Sequence, residues 1–433
     1  MFRSKRWTSS LAALLLAGAG CGQPTEDDRW LQDNHVAIRS LDPSDTDFSD
    51  LQFLKPLIGT KRVVQLGESA HGTAEFSSVK TRLIKFLHQE MGFEVVAFEA
   101  GLFECFRANE RMEFRTPVQT MRACTAGVFN TTEVLALFEH IQSSRSTARP
   151  LMLAGIDIQR TGNRVDFDRP TQLRQAIAVF DPVLAEEAFA LDREWVETSN
   201  LAGYAGANAD RLGPSYQRFA SAIAAHAAEI DAAFPSRPGL ATVLGASLAS
   251  TPAYFDVLRR GSTDSAGLSL RDRGMADNVE LLLERLYPGK KVIVWAHNFH
   301  VARDGAATAY PGSTLASVRN MGSWLHERRA ADLYTVGLFM VRGRAAHNDR
   351  TNTYEIESPQ EHSLEELFEE LFSALDIPLA FVNMANVPRG EGTAWMFELL
   401  GAWDGGYIGI RLVPRDQFDA LLVVDEVHPP HYI

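Results

Sequence analysis

The sequence predicts an α/β protein: a largely parallel sheet flanked by helices, with a helical insertion forming a lid or wall. Three observations carry that reading. Short β-branched runs recur along the chain and are apolar without alternation, the pattern of strands buried on both faces. Amphipathic helical stretches separate them, and strand–helix alternation builds βαβ units. Between about Asp166 and Ser269 the alternation stops: the chain is rich in Ala, Leu and spaced aromatics with no convincing strand, which reads as helices inserted into the sheet domain.

In chain order, strands are expected at Arg62–Leu66 (RVVQL), Glu94–Phe98 (EVVAF), Leu151–Gly155 (LMLAG), Lys291–Trp295 (KVIVW) and Leu333–Leu338 (LYTVGL). Similar runs follow around Ala380–Asn383, Tyr407–Leu412 and Ala420–Val424. The helical pattern covers Ala74–Met91, Thr132–Ser143, Arg271–Leu286, Leu315–Arg329 and Leu364–Leu371. Within the insertion, Trp195, Tyr204, Tyr216 and Tyr254 either line an apolar pocket or pack as core, the usual fate of aromatics at helical spacing. No fixed-period repeat is present, which argues against solenoids and propellers. The 433 residues divide into a leader over 1–21, a tether and N-terminal segment over 22–50, and one α/β domain over 51–433 whose insertion spans about 166–269.

The leader has the form of an export signal: Arg3, Lys5 and Arg6, an apolar run from Leu11 to Ala19, then small residues before Cys21. That run is too short to span a bilayer. Gly18-Ala19-Gly20-Cys21 resembles a bacterial lipobox, in which cleavage leaves the cysteine as an acylated N-terminus, and the polar, acidic Gln23–Asp28 fits a tether. The expected location is the cell envelope, facing the periplasm or exterior, with a lipid anchor at Cys21; a cleaved signal peptide beside an irrelevant cysteine is the plainer alternative. Cys105 and Cys124 either pair, as an oxidising compartment permits, or stay as buried thiols. A formal net charge of −13, with no basic stripe, repels nucleic acid and anionic head groups. Nucleic acid is therefore not an expected partner, and nothing in the sequence indicates a protein partner.

Ligands of parallel sheets bind beyond the carboxyl ends of the strands. Three clusters of chemically capable residues fall there: Gly67-Glu68-Ser69-Ala70-His71 after the first strand, Glu99 after the second, and His297-Asn298-Phe299-His300 after VIVWA. Any one of them alone is explained as a cap or a satisfied polar group. Together they supply carboxylates and imidazoles from separate strand ends, the pattern of a site assembled by a sheet. A histidine near neutral pH takes a proton from water, a carboxylate beside it fixes the tautomer and stabilises the imidazolium, and a second imidazole polarises a carbonyl or protonates a leaving alkoxide. Ester hydrolysis needs no more. Asp157 ends another strand and reads as a site contact or a cap, and Arg271, with Asp272 and Asn278, reads as a site group or a surface pair. There is no GxSxG elbow, since His71 occupies the place of the second glycine around Ser69.

The motifs GESAHGTAEF, GFEVVAFEA, RDRGMADN and KVIVWAHNFHVAR, in that order, resemble those of the erythromycin esterases and their relatives, from about residue 60 to the closing DALLVVDEVHP. The resemblance implies a carboxylic ester hydrolase acting on a small-molecule ester or macrolactone, with a link to macrolide resistance. It implies catalytic roles for Glu68, His71, Glu99, His297 and His300, with Lys80 standing where the family has an arginine. Lysine keeps the charge but loses the bidentate fork, which implies a changed substrate or weaker macrolide turnover. Glu75, Asn298, Arg271 and Asp157 are the expected substrate-binding residues. Metal is the rival reading: Glu68, His71, His297 and His300, with Asp304 following, are residue types that hold Zn or Mn. Relatives of the superfamily proposed as metal-dependent peptidases or haem binders leave a metal-dependent hydrolase, or a non-catalytic haem- or metal-binding envelope protein, as alternatives. The preferred expectation is general-base chemistry with no metal and no cofactor.

Overall fold

A computed structural model of the chain describes residues 24–163, 168–198, 200–261, 263–312, 315 and 317–433. The leader and Cys21 lie outside the described residues. Among the described residues there are eleven strands: β1 (Val36–Ala37), β2 (Val63–Leu66), β3 (Phe93–Gly101), β4 (Met152–Asp157), β5 (Lys291–Trp295), β6 (Leu333–Ala346), β7 (Thr353–Glu355), β8 (Leu379–Asn383), β9 (Leu400–Asp404), β10 (Ile408–Leu412) and β11 (Ala420–Val427). The main sheet has the order β1-β8-β11-β6-β2-β5-β3-β4, with β7 on the far end of β6. Its middle, from β11 through β6, β2, β5 and β3 to β4, is parallel throughout. Antiparallel β8 and β1 finish one edge, so the sheet is mostly rather than wholly parallel.

Continuous apolar runs are explained by cores on both faces. Along each central strand alternate residues enter opposite clusters: Val63, Val95, Val292 and Val294 pack into one, while Val64, Val96, Ile293 and Trp295 pack into the other. At roughly 25 cal/mol per Å² of apolar surface buried, this double burial fixes the strand ends, and with them whatever the ends carry.

Several elements differ from the sequence expectation. The helix expected over Leu315–Arg329 begins at Met321, because the Asn320 side chain accepts the Ser323 N–H and caps it there. The helix expected over Arg271–Leu286 starts earlier and runs Ser265–Leu281, followed by a π-helical turn over Leu282–Leu286. Tyr407–Leu412 is not a doubly buried strand: β10 pairs with β9 outside the main sheet, with a single bridge from Arg411 to Ala309, and its burial alternates, with Ile410 and Leu412 inward. Helices Leu102–Glu110 and Pro117–Cys124 were not anticipated, although Thr116 and Gln119 form a capping box around Pro117 at the first helical position. These two helices carry Cys105 and Cys124, which form a disulfide.

The stretch that broke the alternation forms helices Arg169–Ile177, Pro182–Glu197, Leu201–Ala225, Ala227–Ala233 and Leu240–Arg260, with no strand among its described residues. Its aromatics are core. Trp195, Tyr216 and Tyr254 are buried, Trp195 meets Tyr254 and Phe255 edge-on at 6.0 and 5.6 Å, and partly buried Tyr204 packs against the same cluster. This bundle leans on Leu102–Glu110 and Ser265–Leu281.

Candidate active site

Beyond the carboxyl ends of β2, β3 and β5 lies a cleft of about 460 Å³, lined by His71, Glu99, Arg271, His297, His300 and Asp404 on its polar side. Phe299, His347, Tyr354, Tyr407 and Ile408 form much of the rest. From the helical insertion only Thr263 and Leu268 line it among the described residues, so the bundle contributes one edge of the wall rather than a cover.

The GESAHG turn leaves β2 under tight backbone control. Gly67 N–H donates to Val336 O, and Ser69 N–H to Leu338 O. A Cβ at Gly67 would sit 2.0 Å from Asn298 Oδ1, so only glycine lets the two motifs meet. Asn298, an expected substrate contact, is spent on structure: its Nδ2 donates to Leu338 O and its Oδ1 accepts the Leu338 N–H, at 2.7 and 3.1 Å.

Glu68 is buried and both of its oxygens are taken. Oε1 lies 2.7 Å from His71 Nδ1, and Oε2 accepts from Lys80 Nζ at 2.8 Å. A carboxylate only accepts, so His71 carries its proton on Nδ1. His71 Nε2 then bears the lone pair, on a ring that borders the cleft and with no hydrogen-bond partner for that nitrogen among the described residues. Burial disfavours the imidazolium, yet the hydrogen bond and charge of Glu68 outweigh it and raise the pKa of His71 above its ordinary 6.5. Burial likewise works against ionised Glu68, but Lys80 and His71 hold it below the usual carboxylate range. Lys80 does not reach the cleft. It is fully buried, its Nζ lies 4.3 Å from the Trp295 ring centroid, and desolvation pushes it down to about 8 against the pull of Glu68.

Glu99 is not beyond β3 but within it, at a register irregularity between Phe98 and Gly101. Gly155 of β4 permits the bulge, since a Cβ there would fall 2.3 Å from Gly101 O. Glu99 Oε2 accepts the His297 backbone N–H at 3.0 Å, and Oε1 accepts from Arg271 Nη2 at 2.8 Å. Asp157 grips the same guanidinium from behind at 2.6 Å, does not line the cleft, and so holds Arg271 rather than a ligand.

The two histidines of the AHNFH segment are in opposite states. His300 Nδ1 faces Asp272 Oδ1 at 2.8 Å, so it carries a proton, while Nε2 stands 3.1 Å from Glu99 Oε1 and 3.3 Å from the Arg271 guanidinium. Burial opposes the charge, but Asp272 and Glu99 raise this imidazolium to about 10, which makes it a fixed cation at neutral pH. His297 caps its own short helix: Nδ1 accepts the Phe299 N–H at 3.2 Å, and Nε2 lies 3.0 Å from Ser69 O and 3.3 Å from Asp404 Oδ1. It is therefore the neutral Nε2–H tautomer. Burial, with the charge of His71, lowers its pKa. The His71 and His297 rings stand 5.2 Å apart, nearly perpendicular.

The sequence reading thus brought Glu68, His71, Lys80, Glu99, Arg271, His297 and His300 into one connected site. Glu75 is elsewhere: it accepts from the backbone N–H and ring of His428, tying the helix Ala74–Met91 to the segment after β11, and does not line the cleft. Missed were Asp404 and the rim aromatics Tyr354 and Tyr407, while Asp272, read with Arg271 as a site group or a surface pair, holds His300. Asp404-Gly405-Gly406 is a hairpin turn signal, obscured by reading Tyr407 as the start of a buried strand. Asp304 does not line the cleft, and among the described residues no three His, Cys, Asp or Glu are grouped to hold a metal ion.

Compared with known proteins, residues 88–427 match the family described as Erythromycin esterase; Glu68, His71 and Lys80 precede that span. The chain is 29% identical over 421 residues to the Bacillus subtilis (strain 168) protein named "Putative hydrolase YbfO", covering 93% of this chain and 91% of that one. Its fold is shared with a crystal structure of a succinoglycan biosynthesis protein, at a TM-score of 0.77 and 19% identity over 95% of this chain and all (100%) of that one. It is shared too with a mutant of the erythromycin esterase EreC in its open conformation, at 0.66 and 21% over 92% of this chain and 98% of that one.

Proposed function

This chain belongs to the erythromycin esterase family and is accordingly a hydrolase, and we propose that it opens a small-molecule carboxylic ester or macrolactone by general-base activation of water. The observation that carries the reading is His71, with Nδ1–H tied to buried Glu68 and Nε2 without a partner among the described residues on a ring that borders the cleft. In the proposed reaction, His71 Nε2 takes a proton from water as the water oxygen bonds to the ester carbonyl carbon. The charge that develops on the carbonyl oxygen is met by His297, whose one Nε2–H turns to it from Ser69 O without being lost. When the tetrahedral intermediate collapses, the bond to the alkoxy oxygen breaks and His71 returns the proton to that leaving oxygen. Glu68 stabilises the transient imidazolium, and Lys80 keeps Glu68 ionised. Arg271, Glu99 and His300 form the charged floor that fixes the His297 backbone.

Metal-free chemistry is supported by how the imidazole nitrogens are committed: one of His71 and both of His300 face carboxylates, and both of His297 have backbone partners. We also propose export and lipid anchoring at Cys21, supported by the leader sequence; no helix among the described residues is long and apolar enough to cross a membrane. The test is ester turnover by purified protein before and after prolonged chelation, alongside His71→Ala. Turnover that survives chelation and is lost in a folded His71→Ala supports the reading. Turnover erased by chelator and restored by Zn or Mn would overturn the metal-free mechanism.

A further inference from the structure

Asp404 ends β9 and opens the turn into β10, a hairpin outside the main sheet. An aspartate before two glycines of positive φ, Gly405 and Gly406, would ordinarily use its carboxylate on the turn's own N–H groups. Here, among the described residues, neither oxygen does. Oδ1 lies 3.3 Å from His297 Nε2, and Oδ2 accepts from the buried Tyr310 hydroxyl at 3.2 Å. The hairpin is anchored around that carboxylate: Gly405 N–H donates to Ser69 O at 2.7 Å, the same carbonyl that His297 Nε2 approaches. Tyr354 OH donates to Gly405 O at 2.6 Å, and Trp403 N–H to Glu365 Oε1 at 2.9 Å. Asp404 itself borders the cleft.

His297 has a limited choice of states. With the Phe299 N–H aimed at Nδ1, a proton there would set donor against donor, so the ring works as a neutral donor from Nε2. Ser69 O, from the β2 turn, faces that hydrogen at 3.0 Å, and the hairpin's Asp404 carboxylate stands 3.3 Å from the same nitrogen. We infer that Asp404 is a positioning residue: it holds the Nε2–H of His297 at the cleft and makes the donor's geometry depend on correct seating of the β9–β10 hairpin. This rests on the hydrolytic reading above. Tyr310 acts one step further back, orienting Asp404 from a buried position.

The test uses the full chain with ¹⁵N-labelled histidine, and compares wild type with Asp404→Asn, Tyr310→Phe, His297→Ala and the double variant Asp404→Asn/His297→Ala. In wild type the His297 ring nitrogens, assigned by their loss in His297→Ala, should report the neutral Nε2–H form. Asp404→Asn should move those signals, and Tyr310→Phe should move them less. In turnover, Asp404→Asn should lower kcat roughly 10- to 100-fold with KM little changed, by analogy with the loss of an outer partner of a metal-ligating histidine. The double variant should be no slower than His297→Ala. Unmoved His297 signals in both single variants overturn the inference, as does a fall in rate that simply adds to that of His297→Ala. If the signals respond but no ester is turned over by wild type, the hydrolytic reading fails and the coupling of Asp404 to the ring stands.

Discussion

Glu68→Gln separates the chemistry of the base from its placement. The glutamine keeps one carbonyl oxygen for His71 Nδ1–H but loses the charge, and its amide presents a donor to Lys80 Nζ, now 2.8 Å from an acceptor. Two unit charges about 4 Å apart interact by about 4 kcal/mol at an effective dielectric near 20. The imidazolium formed as His71 takes the proton loses that stabilisation, which at about 1.4 kcal/mol per decade is roughly a thousandfold in kcat, inside the hundred- to ten-thousandfold range of a general base. The pH profile moves as well. Glu68 raises the pKa of His71, so wild type loses its neutral base as pH falls through a value above 6.5. Without the carboxylate that value drops, and the acidic limb of the variant should lie at lower pH while its plateau is lower. Hydrolysis of a chromogenic ester followed from about pH 5 to 9, on protein shown folded by circular dichroism, measures both quantities. A folded variant whose plateau and acidic limb coincide with wild type refutes the assignment of Glu68 and His71.

Lys80 gives the opposite limb: with its pKa pushed down to about 8, loss of its proton uncouples Glu68 as pH rises, and Lys80→Arg, which stays charged, should abolish that alkaline fall in turnover. Lys80→Met should destabilise by about 3–5 kcal/mol because it removes the buried cation from Glu68 and leaves Oε2 without its partner, and adding Glu68→Gln should recover part of the loss in urea unfolding. Replacing Cys105 and Cys124 by alanine opens a link between residues 19 apart and should cost about 3 kcal/mol by chain entropy, read as a lower urea midpoint. Mass spectrometry of the mature N-terminus should find an acylated Cys21; an unmodified N-terminus elsewhere refutes the anchor but not export.

The parallel middle of the sheet was legible because burial on both faces leaves an uninterrupted apolar run, and the strand-end residues were legible because such sheets bind ligands there. What sequence concealed was state. His297 and His300 are three residues apart on one segment, yet one is a neutral donor and the other a fixed cation. The difference lies in Asp272, Asp404 and the carbonyl of Ser69, all distant in sequence. The same limit explains Glu75 and Asn298: their residue types suited a ligand, but His428 and the backbone of Leu338 claimed them. Helix starts failed where a side-chain cap outweighed apolar periodicity, as Asn320 does, and β10 failed because alternating burial was read as continuous.

The cleft draws its two sides from parts of the molecule under unequal constraint. Glu99 lies within, and His71 and His297 just after, strands pinned by packing on both faces, where a change in either core is felt. Tyr407 and Ile408 sit in or beside a hairpin turn, and His347 and Asn348 in a connection, where substitution disturbs little packing. On the proposed mechanism, substitutions at this rim would alter which substrate fits while the groups proposed to activate water stay in place. Identity averaged over the chain weighs mostly residues away from the cleft, so a relative's substrate transfers to this protein only as far as the rim residues agree.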